Sequence, residues 1–166
     1  MSGRVSRWLA FAALAGACVS ACGDDPKPAA SLGEASAAGG GVAIYAPRIP
    51  EPAGDVAALY LVVSDEDGQG DRLIAARSEA GEAMLHETRD EGGLVRMRQA
   101  HDGLEVPPHG ELRLEPGGAH IMLTSLREPL APGARVYVTL EFERAGRIAL
   151  EVPVVPAADV ALGPPE

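Results

Sequence analysis

Thioether and imidazole side chains are concentrated in one part of the sequence. The chain has four methionines and four histidines. Apart from the initiator, the methionines are Met84, Met97 and Met122, and all four histidines lie between Met84 and Met122. Both cysteines lie far upstream, within the first 22 residues. Because thioether sulfur and imidazole nitrogen together suit a soft metal ion, this window is interpreted as a candidate Cu(I) site.

The segment 119–124 predicts a strand that exposes one histidine and one methionine on the same face. Side chains alternate faces along a strand, so His120 and Met122 point one way while Ile121 and Leu123 point the other. The apolar residues make the natural core face. His120 and Met122 are therefore expected to face away from the core, side by side.

A second local pair is predicted in the hairpin closed by the turn at residues 90–93. With Asp90 opposite Gly93, His86 falls opposite Met97, at a Cβ separation of about 5 Å. Met84 lies on the same face as His86 and is an auxiliary candidate ligand. If the two local pairs meet, they form a four-ligand site of His86, Met97, His120 and Met122.

The remaining histidines have a simpler interpretation. His101 and His109 lie in a polar, proline-bearing loop and are expected to be solvated. A single methionine in a strand is most often core filler. The alternative to a metal site is therefore a structural lipoprotein whose histidines and methionines are incidental.

Composition favours an all-β domain with a β-sandwich architecture. Twenty glycines and fourteen prolines indicate many turns, and aromatic residues make up only 4%, so the core must consist of Val, Leu, Ile and Ala. One helical turn is expected within residues 126–133. The predicted strands are 42–46, 56–64, 72–78, 83–89, 94–98, 111–114, 119–124, 135–143 and 147–155.

The first residues resemble a bacterial lipoprotein export signal. Arg4 and Arg7 precede an apolar run at residues 8–17 that is too short to span a bilayer. Residues 19–22, Val-Ser-Ala-Cys, resemble a lipobox, which predicts lipidation of Cys22. The expected organisation is a signal peptide at 1–21, the lipidated cysteine and a flexible linker at 22–41, a β-sandwich at 42–155 and a loose tail at 156–166.

Charge and motifs exclude several classes of function. The formal net charge of −10 argues against nucleic-acid binding, which needs a basic face. The sequence has no nucleophile elbow, P-loop or zinc-protease helix, so an enzyme is not expected. A blue-copper electron carrier is not expected either, because the domain has no cysteine to supply a thiolate.

The spacing of these residues resembles the PCuAC-type periplasmic copper(I) chaperones. Their motif is His, ten residues, Met, twenty-one residues, then His-x-Met. Here His86 and Met97 have ten residues between them, and His120 and Met122 match the final pair. Met97 and His120 have twenty-two between them, and the extra residue is expected within the loop 99–102.

This resemblance implies a cupredoxin-like Greek-key β-sandwich that binds Cu(I) at an exposed edge. It implies delivery of copper toward the copper centre of cytochrome c oxidase, with an Sco-type protein or the oxidase copper subunit as recipient. Together with the lipobox, the expected protein is an extracytoplasmic, membrane-anchored monomer. Copper scavenging for tolerance is an alternative that uses the same site.

Overall fold

The computed structural model describes residues 33–90, 92 and 95–160, and these form an all-β fold. A single turn of 3₁₀ helix, Ala157–Val160, follows the last strand. The strands are β1 Ala37–Gly39, β2 Val42–Pro50, β3 Ala57–Asp65, β4 Asp71–Ser78, β5 Glu82–Asp90, β6 Val95–Gln99, β7 Leu104–Val106, β8 Glu111–Leu114, β9 His120–Thr124, β10 Arg135–Phe142 and β11 Gly146–Val155.

One long, curled sheet makes the sandwich. Its strand order is β6-β5-β9-β3-β2-β11-β10-β4-β7, with β1 also paired to β2 and β8 to β3. Neighbours are antiparallel except β2 and β11, which are parallel. β3 is central to the layout, because its first residues pair with β9 and its later residues pair with β8. The predicted all-β sandwich is confirmed.

The core consists of small and medium aliphatic residues, as the composition predicts. Strand β10 shows the two-residue period clearly: Val136, Val138, Leu140 and Phe142 are buried, and the residues between them are exposed or half-buried. Buried residues from both ends of the sheet form one cluster. The site described below lies on the face of β5 and β9 that points away from this cluster.

Most predicted strands lie within a few residues of the observed ones, and the differences are local. β2 continues to Pro50, and β1 lies inside the range predicted as linker. β7 was not predicted at all. The helical turn expected within residues 126–133 is wrong, since that segment has only bends and turns. The predicted signal peptide and Cys22 lie outside the described residues.

The predicted register of the β5–β6 hairpin is wrong by two residues. His86 is opposite Gln99, and Met97 is opposite Thr88. The physical reason lies at the core end of the hairpin, where the amide of Ala100 donates to the carbonyl of Leu85 at 2.8 Å. Both of these residues are buried, whereas the predicted register would have put the arginine at position 98 opposite Leu85.

The loop predicted to absorb the extra residue is also shorter than expected. Gln99 is the last residue of β6, and Ala100 is only 9% exposed and belongs to the core. The turn is confined to the next residues and is closed by the Gly103 amide, which donates to the Ala100 carbonyl at 3.2 Å. Within the predicted loop 99–102, only His101 and Asp102 lie outside both the sheet and the core.

Candidate metal centre

Adjacent strands β5 and β9 bring two histidines and two methionines together on one face of the sheet. His86 is directly opposite His120, and Met84 is directly opposite Met122. Directly opposed side chains have Cβ atoms about 5 Å apart, and the next pair along the strands lies on the same face. The four side chains therefore occupy the corners of one small patch. The predicted pair of His120 and Met122 meets His86 through the pairing of β5 with β9, and the second methionine of the patch is Met84 and not Met97.

The alternation predicted for β9 accounts for this patch. Ile121 and Leu123 are completely buried in the core, and Met122 is half-buried on the opposite face. His120 shares the face of Met122 but is only 5% exposed, and its ring lies between the rings of Tyr60 on β3 and His86 on β5. The sequence correctly predicts the direction of each side chain, while the depth of His120 depends on pairing that sequence does not reveal.

A main-chain carbonyl fixes the ring of His120. Its Nδ1 lies 3.0 Å from the carbonyl oxygen of Gly118, which can only accept, so Nδ1 carries the proton. In the neutral ring, this tautomer leaves the lone pair that a metal could bind on Nε2. The hydroxyl of Thr88 donates to the same carbonyl at 3.0 Å, which ties the end of β5 to this acceptor.

His86 has a different environment. Its Nδ1 is buried and has no hydrogen-bond partner among the described residues. Its ring centroid lies 5.6 Å from that of His120, with the planes nearly perpendicular. Burial lowers the pKa of His86, and charge on His120 lowers it further. The neutral imidazole, which is the metal-binding form, is therefore favoured, and a buried nitrogen without a partner is consistent with a ligand position.

Met97 lies apart from the other two methionines. It is on the edge strand β6, opposite Thr88, and its side chain is 56% exposed. It shares a face with His86 but lies diagonal to it. Of the four residues predicted as ligands, the sheet brings together His86, His120 and Met122, and Met97 lies at the rim beside His86.

The side of the patch toward β3 is closed by an aromatic ring that the sequence reasoning missed. Tyr60 is half-buried, and its ring lies 6.4 Å from the ring of His120, edge to face. Burial raises the pKa of Tyr60, so it stays a neutral phenol. Arg48 lies opposite Tyr60 on β2. The alternation of β3, with Leu59 and Leu61 buried, was the signal that could have placed Tyr60 on this face.

The other two histidines are exposed, as predicted. His109 lies in the connection before β8, where its amide donates to the carboxylate of Asp65 at 2.8 Å. His101 follows β6 and, together with Met84, lines a cavity of about 180 Å³ beside the first half of β5. His101 is thus the nearer of the two to the patch.

The donor set selects the kind of metal. Within the described ranges, no group of three or more histidine, cysteine, aspartate or glutamate side chains could hold an ion. A metal bound at this patch would therefore use two imidazoles together with thioether sulfur. Hard cations prefer oxygen, and zinc rarely uses methionine, whereas Cu(I) accepts both donors.

Comparison with known proteins places the chain in a family. A family model described as "Putative lipoprotein LpqE-like" matches residues 42–154. The chain belongs to the LpqE-like family. "Putative lipoprotein Lxx21020" from Leifsonia xyli subsp. xyli (strain CTCB07) is 38% identical to this LpqE-like chain over 89 residues, which is 52% of the chain and 54% of that protein. The chain thus spans about half the length of this relative.

Solved structures similar to the LpqE-like chain include PCuAC domains. The copper-bound PCuAC domain from PmoF2 is 25% identical, with a TM-score of 0.59, over 72% of this chain and 96% of that one. The Cu(I) form of DR1885 from Deinococcus radiodurans is 26% identical, with a TM-score of 0.55, over 66% and 74% respectively. The apo PCuAC domain from PmoF1 is 24% identical, with a TM-score of 0.61, over 72% and 97%. The predicted PCuAC-type resemblance and fold are confirmed.

Proposed function

We propose that this protein is an extracytoplasmic Cu(I)-binding chaperone. The observation that carries the proposal is the placement of two imidazoles and two thioethers at adjacent positions of β5 and β9. The likeness to a copper-bound PCuAC domain and to the Cu(I) form of DR1885 supports the same cargo.

Whichever methionine supplies the fourth donor, the other three proposed ligands are His86, His120 and Met122. A second methionine supplies the fourth donor, and Met97 is the residue that the family spacing indicates. Neutral imidazole and thioether add no negative charge and lose no proton on binding at neutral pH, so the ion can bind and leave reversibly. Tyr60 flanks one side of the patch through its ring contact with His120.

The proposed location limits the recipients of copper to proteins on the outer side of a membrane. The family description and the Leifsonia xyli relative's name both include the word lipoprotein, which supports lipidation at Cys22 and a place on the outer side of a membrane. Thioether ligands suit that oxidising compartment better than thiolates, which form disulfides there. We propose transfer to an Sco-type protein or to the copper subunit of cytochrome c oxidase.

A competition titration tests the proposed site. The purified full-length chain is titrated with Cu(I) against a chelator of known affinity, and one tight equivalent is expected. The His120→Ala, Met122→Ala double variant should lose this equivalent, while His109→Ala, which changes an exposed histidine elsewhere, should keep it. Unchanged binding in the double variant would reject the site.

An experiment in cells distinguishes copper delivery from copper tolerance. A deletion strain is grown at low and at high copper. Loss of oxidase activity at low copper, restored by added copper, is expected for delivery. Loss of survival at high copper with normal oxidase activity would instead assign the protein to copper tolerance.

A further inference from the structure

A further imidazole and thioether lie together at the open end of the β5–β6 hairpin. The pairing of these strands continues one residue past β6, because the amide of Ala100 donates to the carbonyl of Leu85 at 2.8 Å. Both of these residues are buried in the core. His101 follows Ala100, and Met84 precedes Leu85 on the neighbouring strand. The register therefore places the backbone of His101 beside that of Met84.

One cavity is shared by these two side chains. Its volume is about 180 Å³, and His101 and Met84 line it together with Gln99 and Ile74. One water molecule occupies roughly 30 Å³ of liquid, so the cavity has ample room for a metal ion. His101 is exposed and Met84 is half-buried. An ion arriving from solvent can therefore reach an imidazole nitrogen and a thioether sulfur at one place.

The lining of this cavity favours a soft ion. Among the described residues that line it, none is acidic, and those other than His101, Met84 and Gln99 are alanine, leucine or isoleucine. Calcium and magnesium need several oxygen ligands, and Gln99 can supply only its amide oxygen. Thioether and imidazole donors instead suit Cu(I).

Met84 is next to the main site but is not needed to complete it. The proposed ligands of the main site are His86, His120 and Met122. The family spacing indicates Met97 as their fourth partner. Met84 is directly opposite Met122, at a Cβ separation of about 5 Å. The sulfur of Met84 is thus available to a second ion that lies beside the first.

We propose that Met84 and His101 form a second, weaker Cu(I) site at the edge of the main patch. This inference rests on the proposed function for the identity of the ion. Two protein donors hold an ion less tightly than four, and repulsion from an ion in the main site weakens binding further. Binding is coordination by the lone pairs of a neutral imidazole and a thioether, and no electron is transferred.

NMR of the full-length chain tests whether the two sites fill separately. Ag(I) is the probe, because it is a soft ion that air does not oxidise. The imidazole nitrogens are labelled with nitrogen-15 and assigned from single histidine variants. The first equivalent of Ag(I) should shift the nitrogen signals of His86 and His120. The signal of His101 should move only with the second equivalent.

Variants of the two proposed ligands test the second site by titration. His101→Ala should weaken binding of the second equivalent at least about tenfold and leave the first within about threefold. Met84→Leu, which nearly conserves side-chain volume, should also weaken the second equivalent. His109→Ala is the matched control, because it removes an exposed histidine elsewhere, and it should keep both equivalents.

Contrary outcomes are distinct. A parent chain that binds no second equivalent, or a second equivalent unchanged in His101→Ala, would overturn the inference and leave the chaperone function standing. A shift of the His101 signal with the first equivalent would also overturn it, because His101 would then belong to the main site. Retention of the first, tight equivalent by the His120→Ala, Met122→Ala variant would overturn both proposals.

Discussion

Neighbouring residues of β9 should have opposite effects on stability and on copper binding. Ile121 is completely buried in the core, while Met122, the next residue, is half-buried on the opposite face. Ile121→Ala removes three buried carbons, worth about 2.4 kcal/mol at about 0.8 kcal/mol each. The cavity left behind adds to this, for a total of about 3–4 kcal/mol. Met122→Ala should lower the free energy of unfolding by about 1 kcal/mol or less.

The same two substitutions should affect copper affinity in the opposite order. Ile121 does not face the patch, so the folded Ile121→Ala variant should bind Cu(I) within about threefold of the parent chain. Met122→Ala should lose at least tenfold, about 1.4 kcal/mol. Urea unfolding of the apoproteins measures the first quantity, and chelator competition without denaturant measures the second. A large loss of affinity in a fully folded Ile121→Ala variant would refute the view that the two faces of β9 have separate tasks.

Three further changes test the supports of the site. Burial and His120 lower the pKa of His86 in the folded apoprotein, so below the unfolded value of about 6.5 the unfolded chain binds more protons than the folded chain. The free energy of unfolding should therefore fall as pH drops below about 6.5 toward the lowered pKa. Urea unfolding from pH 5 to 8 measures this trend, which should be weaker in His86→Gln. Gly81→Ala would place a Cβ 2.5 Å from the Thr124 carbonyl oxygen and should cost about 1–3 kcal/mol by thermal melting, whereas Gly54→Ala, in open space, should change little. Thr88→Val removes the hydroxyl that donates to the Gly118 carbonyl and should cost about 0.5–1.5 kcal/mol, and a Thr88→Ser variant that fails to retain stability would argue against that hydrogen bond.

Period-two patterns made much of the fold predictable. In β9 and β10, apolar residues alternate with polar residues or candidate ligands, so the buried face can be identified without knowledge of any partner strand. The direction of His120 and Met122 followed from this rule alone. Alternation is a property of a single strand, which is why it could be inferred from local sequence.

Register and strand order depend on contacts between distant residues, and here sequence reasoning failed in part. The glycine-rich turn after β5 permits more than one closure, and the pairing of buried Ala100 with Leu85 decides between them. The position of Met84 opposite Met122 requires β5 to pair with β9, which no local pattern indicates. The same limitation hid Tyr60, whose contact with His120 spans sixty residues of chain.

The acceptor that orients His120 belongs to the main chain of Gly118. Every amino acid carries that carbonyl, so no single substitution at position 118 can delete the acceptor atom itself. If a carboxylate side chain held the imidazole, a single mutation of that side chain could remove the acceptor that fixes the tautomer. The carboxylate would also place a negative charge beside the ion. Here the tautomer is secured by the path of the backbone without a carboxylate beside the rings, which suits the proposed role of taking up and releasing an ion.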